Sequence, residues 1–267
     1  MPIDLGTGVH IFDQDEFHAL DRRVMGVVFA VHNEFGRLLD EALFKRAIAQ
    51  RCSDQGIDPV AQEVRIQVTH ETFRKDYFID LLFGQGVMVE AKTAETLSPS
   101  HRAQSLNYLL LAGLKHGRLI NLRPERVQHE YISTTLSPAE RRQFKVVDNG
   151  WREPDEASAW LKHKCIELLQ DWGAFLEVSL YREAIVHFLG GPTVACPAIG
   201  IFDGVRLLGH QSVCLLTKDT IFACTAVTHA LDQIWEHQRR FLSHTQMQRV
   251  QWVNLNRAQI EFCTISK

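Results

Sequence analysis

The sequence predicts an α/β protein in which a helix, three strands, a second helix and further strands follow in order, run through twice as two lobes. Three observations predict this. Apolar residues recur at helical spacing ahead of residue 52. Two strand-like runs flank the tight turn Gly84-Gln85-Gly86. The order of elements in residues 1–140 then returns in residues 141–267 at a nearly constant offset.

The first helix is expected over about 15–33, where Leu20, Val24, Val27, Val28 and Val31 share a face. Gly36 breaks it. A second helix follows over about 38–51, with Leu39, Ala42, Leu43, Phe44, Ala47 and Ile48 on its apolar side. Residues 60–69 alternate in places and read as a strand turning near His70-Glu71-Thr72. The runs 77–83 and 87–92 read as the second and third strands. Ser98-Pro99 opens a helix reaching about His116, with Pro99 suited to its first turn and Gly117 ending it. A buried strand is expected over 119–122 and another near 127–133.

Residues 136–160 are polar, carry Pro138, Asn149-Gly150 and Pro154, and read as a linker into the next helix. Beyond it, 176–188 is helical and Gly190-Gly191-Pro192 breaks it. Residues 193–202, 211–216 and 220–224 are strand-like, 230–243 is helical, and 251–255 is a strand.

The halves align over their central hairpins. Ile79-Asp80-Leu81-Leu82 stands opposite Val213-Cys214-Leu215-Leu216, and Val89-Glu90-Ala91-Lys92 opposite Ala223-Cys224-Thr225-Ala226, both 134 residues apart. Asn121 faces Asn254 at 133 residues, and Phe44 faces Tyr181 at 137. Chance sharing of apolar patterns by two α/β domains is the competing explanation. In this alignment the charges of the first copy become Cys214, Cys224 and Ala226, so the second lobe is expected to lack a magnesium-type site and to serve structure or binding.

Composition sets the outer limits. Of 267 residues, 45% are hydrophobic and 23% charged, enough apolar material for a core and against disorder. The net charge of −3 supplies no global basic footprint for nucleic acid, so basic groups serving such a partner must be local. No run approaches the roughly 18 apolar residues of a membrane span, and Met1-Pro2-Ile3-Asp4-Leu5 lacks the regions of a secretory leader. The six cysteines (52, 165, 196, 214, 224, 263) form no CxxC pair. They suit reduced core thiols, and a cytoplasmic location is the expectation.

The chemistry concentrates on the first hairpin. Side chains alternate faces along a strand, so Glu90 and Lys92 project together, and Asp80 reaches the same end of the sheet from the neighbouring strand. Strands as apolar as 79–83 and 87–91 have little reason to hold three charges unless these meet one another or a metal. Two carboxylates with a backbone carbonyl make a hard, oxygen-rich site suited to Mg²⁺ or Mn²⁺. A lysine beside them suits the positioning of water or phosphate.

Asp80 followed by Glu90-Ala91-Lys92 resembles the PD-(D/E)XK nuclease superfamily, and residues 21–134 resemble its small GxxExxY proteins. The similarity runs through the helix around 27–34, Gly36, Leu39-Asp40-Glu41-Ala42-Leu43-Phe44, the two hairpin strands, and the helix bearing Gln104 and Tyr108. It implies a restriction-endonuclease-like core and an active site of Glu41, Asp80, Glu90 and Lys92, with Gln104 and Tyr108 assisting. The metal ligands it implies are Asp80, Glu90, the Ala91 carbonyl and Glu41. Two positions depart from the pattern: Phe44 stands where the motif has tyrosine, and Ile79 where a proline often precedes the aspartate.

Other residues carry a plainer reading beside the functional one. Asp40 competes with Glu41, and either is by default a surface carboxylate. Gln104 and Tyr108 share a helix face and serve either packing or phosphate. His101 and Arg102 are candidate phosphate contacts; with Lys115 and His116, surface charge is their ordinary role. His32 is read as structural. In the second half, His237, Arg239, Arg240, His244 and Arg249 lie among Trp235, Phe241 and Trp252, a pattern that suits either core packing or single-stranded nucleic acid. The expected function is a Mg²⁺- or Mn²⁺-dependent nuclease on DNA or RNA; the alternative is a non-catalytic binding or scaffold module. Paired lobes in a monomer would lessen the need for a dimer.

Overall fold

The computed structural model describes residues 2–267; Met1, part of the opening read for a leader, lies outside them. The chain divides into two compact units, one of residues 2–69 and 74–138, the other of residues 70–73 and 139–267.

The first unit begins with β1 (Ile3–Leu5), α1 (Gln14–Phe35) and α2 (Glu41–Asp54). The strands β2 (Val60–His70), β3 (Phe73–Phe83) and β4 (Val87–Lys92) follow, then α3 (Pro99–Ala112), β5 (His116–Asn121) and β6 (Gln128–Ser133). Asp13 starts α1 with a reciprocal capping box to Glu16, and Gly36 stops it at φ 70°. The sheet order is β1-β2-β3-β4-β5-β6. Pairs β1–β2, β3–β4 and β5–β6 are antiparallel, whereas β4 and β5 are parallel because α3 carries the chain back between them.

The apolar stripe of α1 (Phe17, Val24, Val27, Val28, Val31) and that of α2 (Phe44, Ile48, Ala49) close over Leu81, Phe83, Val87, Val89, Ala91, Ile120 and Leu122. Each large side chain so buried contributes roughly 1.5–3 kcal/mol, far more than a surface ion pair. This core fixes the faces of β4: Val87, Val89 and Ala91 point into it, and alternation sends Glu90 and Lys92 the other way. The β3–β4 turn demands glycine, since a Cβ on Gly86 would lie 2.5 Å from the His10 carbonyl oxygen.

Some elements differ from the expectation. β3 starts at Phe73, four residues early, because the charged run Arg74-Lys75-Asp76 pairs through its backbone on the exposed part of the hairpin. α3 stops at Ala112, capped by left-handed Gly113, and Gly117 sits inside β5 instead of ending the helix. There a Cβ would press on the Met88 carbonyl oxygen at 3.1 Å.

The second unit, with α4 (Pro138–Arg141) at its boundary, contains β7 (Lys145–Asp148), α5 (Glu156–Trp172), α6 (Val178–Phe188) and α7 (Pro192–Ala195). These lead to the hairpin β8 (Ala198–Asp203) and β9 (Arg206–Ser212), then β10 (Leu215–Thr217), β11 (Thr220–Thr225), α8 (Leu231–Ser243), β12 (Arg249–Asn256) and β13 (Gln259–Ser266). The expected linker is thus structured. β7 joins the sheet parallel to β13, and α5 is capped by Asp155 within the stretch read as polar connection. Residues 193–202 hold the short α7 and then β8 rather than one strand, and 211–216 divides between β9 and β10.

The second sheet runs β10-β11-β12-β13-β7. β11 and β12 are parallel and joined through α8, flanked by antiparallel β10 and β13. These are the order and pairing senses of β3, β4, α3, β5 and β6. The registers agree as well: Lys92 pairs with Asn121 and Asn121 with Gln128, while Thr225 pairs with Asn254 and Asn254 with Glu261, each 133 residues on. Asn121 accepts the Ala94 N–H at 3.0 Å and donates to the Ala94 carbonyl at 2.8 Å; Asn254 does the same to Val227, both at 2.8 Å. The strand pairing differs by one residue from the 134-residue offset expected over the hairpins. Ala223 and Thr225, not Cys224 and Ala226, stand at the positions of Glu90 and Lys92. Apolar patterning alone leaves a one-residue slip open, and the hydrogen-bonded ladder closes it. Among the described residues no helix is long and apolar enough to cross a membrane.

Candidate active site

Four elements of the first unit (α2, β2, β3 and β4) converge on one cluster. β3 supplies Asp80, 8% exposed, and β4 supplies Glu90, 1% exposed. Asp80 is held from both sides: its Oδ2 accepts the Ala91 N–H at 2.9 Å, and its Oδ1 accepts from Lys45 Nζ at 2.7 Å. The Asp80 N–H donates to Glu90 Oε1 at 3.2 Å, and Glu90 Oε2 lies 3.6 Å from Lys92 Nζ. Glu41, the first residue of α2, is close enough to feel Asp80, Lys92 and Lys45, and a backbone hydrogen bond from Thr93 steadies it. Asp40 is the residue that precedes α2, and it makes no side-chain cap.

Burial dominates the electrostatics. It pushes the Glu90 carboxyl up to about 8, with the Asp80 charge adding to the rise and Lys92 opposing it. Burial raises the Glu41 carboxyl in the same direction, again seconded by Asp80 and opposed by Lys92 and Lys45. Burial works against the Lys45 ammonium, yet hydrogen bonds to Asp80 and Glu63 outweigh it and raise that group above its ordinary value.

Lys45 and Glu63 are the residues sequence reasoning missed. Lys45 lies one helical turn after Glu41, so the i, i+4 spacing was a usable signal. Glu63 reaches Lys45 from a strand position with φ 50°, a backbone state that no sequence pattern announced.

The remaining candidates are engaged elsewhere. Gln104 donates its amide to the Tyr108 hydroxyl at 2.9 Å, and Tyr108 meets the Tyr77 ring edge-on at 5.8 Å. His101 Nδ1 accepts the Ser98 N–H at the start of α3. Arg102 pairs with Glu130 through two hydrogen bonds of 2.5 and 2.6 Å. His32 meets the Pro124 carbonyl oxygen at 3.1 Å and stacks on Phe44, a structural role. In the second unit, Arg239 and Arg240 both pair with Glu236, Arg249 pairs with Asp155, and Trp252 donates to Thr225.

The cluster thus gathers four carboxyl side chains (Glu41, Glu63, Asp80, Glu90) against two ammonium groups (Lys45, Lys92). Hard oxygen donors that outnumber the ammonium groups, two of them (Glu90 and Glu41) hindered from ionising by burial, fit a divalent cation.

The family model of the PD-(D/E)XK nuclease superfamily matches residues 18–133, a stretch that contains every residue of this cluster. The mixed α/β fold is consistent with the restriction-endonuclease-like fold. The superfamily suggests a nuclease-type function on nucleic acid, and its members generally use divalent metal ions. No curated protein matches the chain. Among solved structures, one described as the crystal structure of SSO0001 aligns at 14% identity over 48% of this chain and 81% of that one, with a TM-score of 0.27.

Proposed function

We propose that the first unit is a divalent-metal-dependent phosphodiester hydrolase that cuts DNA or RNA. One observation carries the reading: the buried Asp80–Glu90 pair, which shares backbone hydrogen bonds across the β3–β4 hairpin and has Lys92 beside it. Asp80, Glu90 and Glu41 would hold Mg²⁺ or Mn²⁺, with the Ala91 carbonyl adjoining. When bound, the ion lowers the pKa of water and stabilises charge on the phosphate. The protein's own groups do the positioning. The Ala91 N–H and Lys45 fix the Asp80 rotamer. Lys92 orients the attacking water or the scissile phosphate. The match to the nuclease superfamily supports the assignment.

The test is a panel of labelled single-stranded DNA, duplex DNA and RNA with Mg²⁺, Mn²⁺ or EDTA, using wild type beside Asp80→Asn and Lys92→Ala. Metal-dependent cleavage should fall by at least about two orders of magnitude in both folded variants. Undiminished cutting in either one removes the assignment.

We infer further that residues 141–267 are a degenerate second copy of the fold that completes the molecule or grips the substrate. The matching strand order, the shared 133-residue register and the repeated asparagine clamp support this. A non-catalytic scaffold is the second reading for the whole chain, favoured by the apolar and neutral residues at the second copy's corresponding positions. Titration with Mn²⁺ separates the two: a catalytic first unit loses its binding heat in the Asp80→Asn, Glu90→Gln double variant, and a scaffold has none to lose.

A further inference from the structure

We infer that the second unit carries a transition-metal site of its own, built from His70, Glu71 and Glu167 and suited to an ion with the coordination chemistry of Zn²⁺. All three residues belong to that unit, His70 and Glu71 through the segment 70–73 and Glu167 on α5. One ring nitrogen and two carboxylate oxygens from them lie within 4.8 Å of one another.

The histidine points to a ligand. Its side chain is 8% exposed, and its Nε2 is buried without a hydrogen-bond partner. Its Nδ1 lies 2.6 Å from Asp171 Oδ2. The ring therefore donates from Nδ1, and the Nε2 lone pair is left facing the carboxylates, with Glu71 Oε1 at 3.7 Å. A carboxylate holding the far nitrogen of a histidine is how metal-binding imidazoles are oriented and made more basic. Asp171 lies one turn after Glu167 on α5, so one helix supplies both a ligand and the orienting group. Trp172 and Phe188 pack edge-on against the ring and hold it in place.

An ion-pair network explains only part of this cluster. Lys164 Nζ lies 2.8 Å from Glu71 Oε1 and 2.5 Å from Glu167 Oε2, and His163 Nε2 lies 3.2 Å from Glu167 Oε1. The ammonium neutralises the carboxylates but leaves Nε2 of His70 unsatisfied, and a buried polar atom without a partner is costly. A metal ion uses that lone pair and both carboxylates at once, with water completing a four-coordinate shell. The mixed nitrogen and oxygen donors favour zinc over magnesium, which prefers oxygen alone. Lys164 and the ion compete for the same carboxylates, so binding requires the lysine, on its flexible stem, to withdraw.

This competition makes the site testable in two directions. The experiment titrates Zn²⁺ against a chromophoric indicator with the full-length chain carrying Asp80→Asn and Glu90→Gln, so that zinc at the nuclease-type cluster does not contribute. One equivalent should bind. Adding His70→Ala should weaken it on the order of a hundredfold, and adding Lys164→Met should tighten it by about tenfold, or 1.4 kcal/mol. Tightening cannot arise from misfolding, which keeps the test sharp if His70→Ala is unstable. No stoichiometric binding, indifference to His70→Ala in a folded variant, or unchanged or weaker binding in Lys164→Met would each overturn the site and leave the nuclease assignment untouched.

Discussion

Glu90 ties the candidate site to folding stability, and the sign of its effect is unusual for an acid. Burial, seconded by Asp80, lifts its carboxyl from 4.5 to about 8 in the metal-free fold. Between those values the folded chain holds a proton that the unfolded chain has lost. Stability therefore declines as pH rises through that window, with a slope of about 1.4 kcal/mol per pH unit for one whole proton. From pH 5.5 to 7.5 this one group should cost the metal-free protein about 2 kcal/mol. Glu41, raised for the same reason, adds in the same direction. Glu90→Gln keeps the shape and deletes the titration. Urea denaturation in EDTA at pH 5.5, 6.5 and 7.5 measures the difference, since histidines elsewhere contribute equally to both proteins. Wild type should lose stability relative to Glu90→Gln across the series. Parallel pH profiles would show that the Glu90 environment does not suppress ionisation, and the electrostatic argument for a cation site would fail.

Three further outcomes follow from the packing. Asn121→Ala removes bonds to both polar groups of Ala94 and to Gln128; a loss of about 3 kcal/mol is expected. Asn254→Ala should lose a similar amount, and calorimetry should show the two losses adding in the double variant. Arg118→Met strands Asp21, 3% exposed, without its two guanidinium bonds. It should cost about 3–5 kcal/mol, and adding Asp21→Asn should recover much of this; no recovery would mean that packing, not charge, carries the loss. Phe44→Tyr should be tolerated to within about 1 kcal/mol, because Tyr181, eight residues after Gly173, donates its hydroxyl to that glycine's carbonyl oxygen, and Phe44 likewise lies eight residues after the helix-ending Gly36. A thermal melt showing a loss of more than about 2 kcal/mol would mean that the hydroxyl is buried without a partner.

The parts of this protein legible in its sequence are those whose signal is local. The β3–β4 hairpin was visible because two apolar runs flank a glycine turn, and Asp80, Glu90 and Lys92 were visible because charges stand out inside those runs. Lys45 was not singled out, since a lysine on a helix is ordinarily solvated and only the fold brings it to Asp80. β7 was hidden for a related reason: four residues with two charges look like a connection, and their partner β13 lies at the far end of the chain. Gly117 misled because a glycine after a helix looks like a stop; the close approach of Met88 that requires it is a tertiary fact.

The comparison of the two units separates what the fold needs from what chemistry needs. Both stop a long helix (α1 and α5) with a positive-φ glycine, Gly36 and Gly173, and start the next one five residues later. Both tie the strand that follows their crossover helix with an asparagine clamp. These features stabilise each unit, and each unit has them. The charges behave differently. By strand register, the second unit places Ala223 and Thr225 where the first has Glu90 and Lys92. Apolar and neutral residues there are inexpensive to bury, whereas the first unit holds a carboxyl whose ionisation its surroundings resist. Since the second unit builds four strands in the same order and pairing sense without that burden, this strand arrangement does not require the charges on β3 and β4. A cluster that works against the stability of its own unit, at positions where the second sheet carries alanine and threonine, is what the proposed metal site would explain.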